Sequence, residues 1–165
     1  MIQKAAAKNL KRIKFLLLDV DGVMTDGGIY YSNAGEELKR FNTKDGYGIV
    51  KFQRTGLQIG IITGRKSKIV VQRAKELGIK EVHQNFENKI DAYEIVKKKY
   101  DLADANIAYI GDDEFDLSVL KCVGFSAAPS DAVPIVKKHV HYICAQCGGN
   151  GAVREVIDLI LKSKK

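Results

Sequence analysis

Apolar residues along this chain follow two alternating rhythms. Short, unbroken, leucine-rich or β-branched runs predict strands at 14–20, 57–62, 80–84, 106–111, 124–128 and 139–143. Between them lie longer segments in which apolar positions recur every three or four residues. These predict helices at 45–55, 66–77, 88–100, 114–122, 132–138 and 150–162. Strands separated by helix-length segments make βαβ units, whose crossovers give a mostly parallel sheet covered by helices on both faces. The expected fold is α/β, a doubly wound Rossmann-like sheet, in a single domain spanning 1–165. One insertion, TDGGIYYSNAGEELKRFN, follows the first strand. Its two β-like runs flank a turn at Ser32-Asn33-Ala34-Gly35, so a hairpin flap is expected over about 26–42, with a C-terminal tail over about 145–165.

Composition narrows the classes. With 165 residues, 45% hydrophobic and 28% charged, the chain has the make-up of one ordinary globular domain. The net charge of +7 arises from 27 Lys+Arg against 20 Asp+Glu, and much of the excess lies in runs such as Lys97-Lys98-Lys99 and the terminal KSKK. No stretch interleaves basic and aromatic residues, so no nucleic-acid partner is expected; a positive field suits a small anionic substrate. The longest apolar runs are far too short for a bilayer, and no apolar leader segment follows the basic N-terminus, so a cytoplasmic location and no membrane partner are expected. The three cysteines, Cys122, Cys144 and Cys147, do not suggest a disulfide framework. His139, His141, Cys144 and Cys147 resemble half of a zinc site, but one C-x-x-C does not carry that reading, and the histidines fit a strand edge equally well.

The chemistry sits where strands end. Open α/β sheets bind ligands beyond the carboxyl ends of their strands. The first strand ends in Asp19 and Asp21, whose i, i+2 spacing puts two carboxylates on one side. The second ends in Thr63, followed by Gly64, Arg65 and Lys66; the third leads to Lys89; the fourth ends in Asp112 and Asp113, with Asp116 a turn on. Asp19, Asp21 and Asp112 form a hard, oxygen-rich set suited to Mg²⁺, with Mn²⁺ or Co²⁺ as alternatives, and such a cation offsets their mutual repulsion. Thr63 and Lys89 suit the oxygens of a phosphoryl group, which an aspartate can then accept. Each piece alone has an ordinary structural explanation; the ordered set points to a phosphatase. A receiver-type signalling domain also gathers Asp, Thr and Lys at strand ends, but it places its acidic pair on the first strand and a lone phospho-accepting Asp later.

D-x-D-G-V, T-G, the downstream lysine and G-D-D-x-x-D together resemble the four motifs of the haloacid dehalogenase-like phosphohydrolases. The resemblance implies that Asp19 is the nucleophile and Asp21 the general acid and base. Thr63 and Lys89 would hold the phosphoryl group. Asp19, the Asp21 backbone carbonyl and Asp112 would ligate Mg²⁺, with Asp113 and Asp116 supporting them. DVDGVMTDGGIYYSNAGEELKRFNTKDGYGI, IITGRK and GGNGAVREVIDLIL extend the likeness to the branch that dephosphorylates acidic keto-deoxy sugar phosphates. An eight-carbon octulosonate 8-phosphate is the substrate it implies, and a nine-carbon nonulosonate phosphate or a broader range of sugar phosphates the alternative. Substrate contacts are then expected from Gly64, Arg65, Lys66, Asp45, Gly46, Asn150 and Arg154. Arg65 in the TGRK segment favours the eight-carbon sugar; Asn150 replaces an arginine common in that branch. Too few residues separate the motifs for a cap domain. The resemblance instead implies a homotetramer, in which neighbouring subunits complete each site.

Overall fold

The computed structural model describes residues 9–165. Six parallel strands form one sheet in the order β5-β4-β1-β6-β7-β8: β1 (Phe15–Leu18), β4 (Gln58–Thr63), β5 (Glu81–Gln84), β6 (Ile107–Ile110), β7 (Phe125–Ala128) and β8 (Tyr142–Ile143). The helices that link or cover them are α1 (Thr43–Arg54), α2 (Lys68–Glu76), α3 (Lys89–Lys99), α4 (Leu117–Leu120), α5 (Pro134–His139) and α6 (Ala152–Ser163). β2 (Tyr30–Tyr31) and β3 (Glu37–Leu38) pair antiparallel as a separate hairpin. Between Thr63 and Lys89 lie only α2 and β5, so no cap domain intervenes.

The central strand shows why the sheet is buried on both sides. Leu16 and Leu18 of β1 join the core beneath α1 and α6, with Ile49, Phe52, Val153 and Val156. Phe15 and Leu17 join the opposite core, with Tyr93 and Val96 of α3 and Val119 and Leu120 of α4. A strand apolar at every position is the signature of a parallel strand with two covered faces. Each fully buried leucine contributes roughly 2 kcal/mol, which locks the register and fixes where the end of β1 points. β1 hydrogen-bonds to β4 and β6 on either side, so the ends of these three strands lie together.

Two elements differ from the sequence pattern. The segment 114–122 starts as a 3₁₀ turn, Glu114–Asp116, before α4. The Asp116 carboxylate bonds back to the N–H groups of Asp112 and Asp113, which tightens that first turn. The last strand is two residues long rather than the expected 139–143. His139 closes α5, and His141 Nδ1 accepts the Ser126 N–H at 3.0 Å, capturing a donor on β7 with a side chain.

Candidate active site

The loop after β1 is tied into the sheet and folded tightly on itself. The Asp19 N–H donates to Ile110 O at 3.0 Å, and the N–H groups of Val23, Met24 and Thr25 all converge on Val20 O. Gly22 has φ +85°, and a Cβ there would lie 2.1 Å from Asp112 Oδ2. Only glycine lets the loop backbone approach the Asp112 carboxylate this closely.

Lys89 is the first residue of α3, a position where the helix dipole disfavours a cation, and it is nearly fully buried. Two carboxylates hold it: Asp19 Oδ1 at 2.8 Å and Asp116 Oδ1 at 2.6 Å. Burial alone would push its ammonium down, but Asp19 and Asp116 outweigh burial and raise it. Asp116 is wholly buried. Its Oδ1 also accepts from Tyr109 Oη, while Oδ2 accepts the Asp112 and Asp113 N–H groups at 2.9 and 3.1 Å. Its bonding capacity is taken up in fixing Lys89 and the β6 loop.

Asp19 and Asp112 are held differently. Burial, followed by the charge of Asp116, raises Asp19 to about 7 despite Lys89. Burial, followed by the charges of Asp19 and Asp116, raises Asp112 to about 8. Asp112 Oδ1 is buried and has no hydrogen-bond partner among the described residues. An orphaned buried carboxylate oxygen is costly unless a cation receives it. Ligand atoms of Asp19, Asp112 and Asp116 lie within 4.8 Å of one another, the only such cluster of metal-ligating side chains among the described residues. Carboxylate oxygens, an unspent lone pair and mutual repulsion fit a hard divalent cation.

These groups open into a cavity of about 570 Å³, also lined by Asp21, Thr63, Gly64, Arg65, Asp113, Phe86, Glu87 and Phe115. Thr63 ends β4 and is buried. Asp113 caps the 3₁₀ turn, accepting the Glu114 N–H at 2.7 Å. A larger groove of about 780 Å³ between α1 and α6, lined by Lys51, Thr55, Leu57 and Asp158 among others, holds no such carboxylate cluster.

Other expected contacts are engaged elsewhere within the chain. Asp45 is buried in α1, where its carboxylate accepts the N–H groups of Gly151 at 3.2 Å and Arg154 at 2.8 Å, so it caps α6. Gly46 packs against Arg73 and Leu77. Arg154 pairs with Asp158 at 2.6 Å and lies over the Tyr47 ring. Asn150 accepts from Arg40 at 3.0 Å, and Lys66 is exposed outside the cavity lining. The tail reaches the backbone of the Asp19–Asp21 loop: Gly149 N–H donates to Val23 O at 2.9 Å, and a Cβ on Gly148 would lie 1.9 Å from Gly22 O. His139, His141, Cys144 and Cys147 do not converge, since their side chains contact Ile135 O, Ser126, Ala152 O and Ser130 respectively.

Several residues at the site carried no sequence signal. Phe86 and Phe115 supply apolar walls. Tyr109, read as one more apolar residue of a buried strand, anchors Asp116. On the hairpin, Lys39 pairs with Asp21, and Glu37 accepts from Arg65 at 2.8 Å and Ser67 at 2.9 Å.

The sequence and the fold that carry this site have counterparts among known proteins. The sequence profile of the haloacid dehalogenase-like hydrolases matches residues 79–157. The 3-deoxy-D-manno-octulosonate 8-phosphate phosphatase of Escherichia coli K12 is 46% identical over 151 residues, covering 92% of this chain and 80% of that one. The chain belongs to the 3-deoxy-D-manno-octulosonate 8-phosphate phosphatase family. Among solved members of that family, the Yersinia pestis enzyme superposes with a TM-score of 0.96 at 43% identity, covering 98% of this chain and 87% of that one. The Moraxella catarrhalis phosphatase, solved with magnesium, phosphate and the KDO sugar, gives 0.94 at 40% identity, covering 96% and 91%.

Proposed function

We propose that this protein is a Mg²⁺-dependent phosphatase that hydrolyses 3-deoxy-D-manno-octulosonate 8-phosphate to the free sugar and inorganic phosphate, in cytoplasmic lipopolysaccharide sugar synthesis. The observation that carries this reading is the joint placement of Asp19 against Lys89 and of an unpartnered Asp112 oxygen at one cavity. It is supported by the Moraxella relative's complex with magnesium, phosphate and the sugar.

In this reading an Asp19 oxygen attacks phosphorus, forming an aspartyl phosphate as the bond from phosphorus to the sugar oxygen breaks. Asp21 gives its proton to the departing alkoxide, then takes one from the water that attacks the intermediate, releasing phosphate and regenerating Asp19. Lys89 holds one phosphoryl oxygen in charge-assisted contact and Thr63 donates to another. Asp19, Asp112 and the Asp21 carbonyl would hold the cation, with Asp116 and Asp113 fixing the loop beneath. When bound, it offsets the carboxylates' repulsion and the charge of the phosphoryl group. Gly64 and Arg65 line the entry for the sugar. Ile29, Tyr30, Tyr31 and Leu38 are all exposed on or beside the hairpin, and in this reading a homotetramer buries them and closes the sites.

Phosphate release from a panel of phosphorylated keto-deoxy sugars, with and without Mg²⁺, tests the proposal. The eight-carbon ester is expected to turn over fastest and only with metal. Asp19→Asn should lower turnover on the order of a thousandfold or more while the fold persists. Substantial residual activity would overturn the mechanism, and a faster nine-carbon substrate would overturn the specificity.

A further inference from the structure

Lys39 follows directly on the exposed hairpin strand β3, between exposed Leu38 and Arg40, yet its side chain is only 1% exposed. A buried ammonium requires partners, and Lys39 has two: Asp21 Oδ1, and Glu37 Oε1 at 3.4 Å. Glu37 is fixed in turn by Arg65 Nη2 and Ser67 Oγ, both in the loop that follows Thr63. The Ser67 N–H donates to Gln84 Oε1 at 2.7 Å, anchoring that loop to the end of β5. A chain of ion pairs therefore runs from Asp21 through the hairpin to the far wall of the site. Only Lys39 is withdrawn from solvent, while Asp21, Glu37 and Arg65 stay partly exposed, so the chain of pairs adds little stability and its effect is to fix geometry.

We propose that Lys39 is the positioning residue for Asp21, and that Glu37 and Arg65 hold it in place. This rests on the reading of Asp21 as the acid that protonates the leaving alcohol. Among the described residues, Lys39 is the only hydrogen-bond donor to the Asp21 carboxylate. It engages Oδ1 and leaves Oδ2 without a hydrogen-bond partner among the described residues. An ammonium can donate to Oδ1 whether or not Oδ2 carries a proton, so it restrains the carboxyl group through both halves of the reaction. Without it, the side chain is free to rotate about two bonds, and a general acid that is wrongly oriented loses much of its effect.

A leaving-group comparison separates positioning from simple structural support. kcat/KM reports only the steps up to departure of the alcohol, so later hydrolysis of the intermediate does not enter. p-Nitrophenol leaves readily without an acid, whereas a sugar alkoxide needs its proton. In Lys39→Met, kcat/KM for octulosonate 8-phosphate should therefore fall about tenfold to a hundredfold further than kcat/KM for p-nitrophenyl phosphate. Lys39→Arg should recover most of the difference, and Glu37→Gln should show the same selectivity at a few-fold. Equal losses on both esters in Lys39→Met, or in a folded Glu37→Gln should Lys39→Met fail to fold, overturn the proposal. Asp21→Asn is the control. If it lowers the ratio of the two rates while the Lys39 and Glu37 variants do not, only the positioning role falls. If Asp21→Asn itself leaves the ratio unchanged, the acid role assigned to Asp21 falls too.

Discussion

At the scale of single residues, the site is a set of carboxylates held where they are electrostatically uncomfortable. Burial and mutual repulsion keep Asp19 near 7 and Asp112 near 8, against an ordinary value of 3.8. Without metal, the unfolded chain releases these protons near 3.8, whereas the folded chain keeps them until about 7 and 8. Stability from these two groups is thus complete below the unfolded value and is lost as pH rises through the folded ones. Scanning calorimetry should show Mg²⁺ raising the melting temperature more at about pH 8 than at about pH 5, because binding requires the ionised forms. An equal shift at both would contradict it. The residues that face one another here were legible because each ends a strand and belongs to a short local pattern: D-x-D, T-G, G-D-D-x-x-D. Tyr109 and Lys39 were not, since a tyrosine inside an apolar strand and a lysine on a hairpin look like ordinary core and surface. Only the fold reveals that the first meets Asp116 and the second meets Asp21.

At the scale of elements, periodicity located the six sheet strands and the helices that cover them, because a doubly covered parallel sheet and amphipathic helices leave contrasting patterns. It did not reveal how α6 starts. The residue at its N-terminus is Gly151, which has no side chain to offer and sits at φ +112°. Asp45, from the first turn of α1, supplies the missing acceptors for two N–H groups. A capping residue more than a hundred positions away leaves no local signature, so Asp45 reads from sequence as a substrate contact. Asp45→Ala should destabilise the protein by about 1–3 kcal/mol in urea unfolding, since it leaves buried amide donors unsatisfied. A change under a few tenths would mean that water substitutes for the carboxylate.

At the scale of the whole molecule, a capless site beside a hairpin that exposes Tyr31 at 65% and Ile29 and Leu38 at 55% each asks for a covering surface. Sedimentation equilibrium is expected to give the mass of a tetramer. Tyr31→Lys should shift the population toward smaller species and raise KM for the sugar phosphate; an active wild-type monomer would refute the assembly. The contact between Gly148, Gly149 and the Asp19–Asp21 loop bears on something other than catalysis, namely timing. That loop leaves the ribosome more than a hundred residues ahead of the backbone that braces it. A nascent chain therefore carries Asp19 through all of that interval without the packing that shapes its loop, and phosphatase activity should switch on once Gly148 and Gly149 have emerged rather than grow with length.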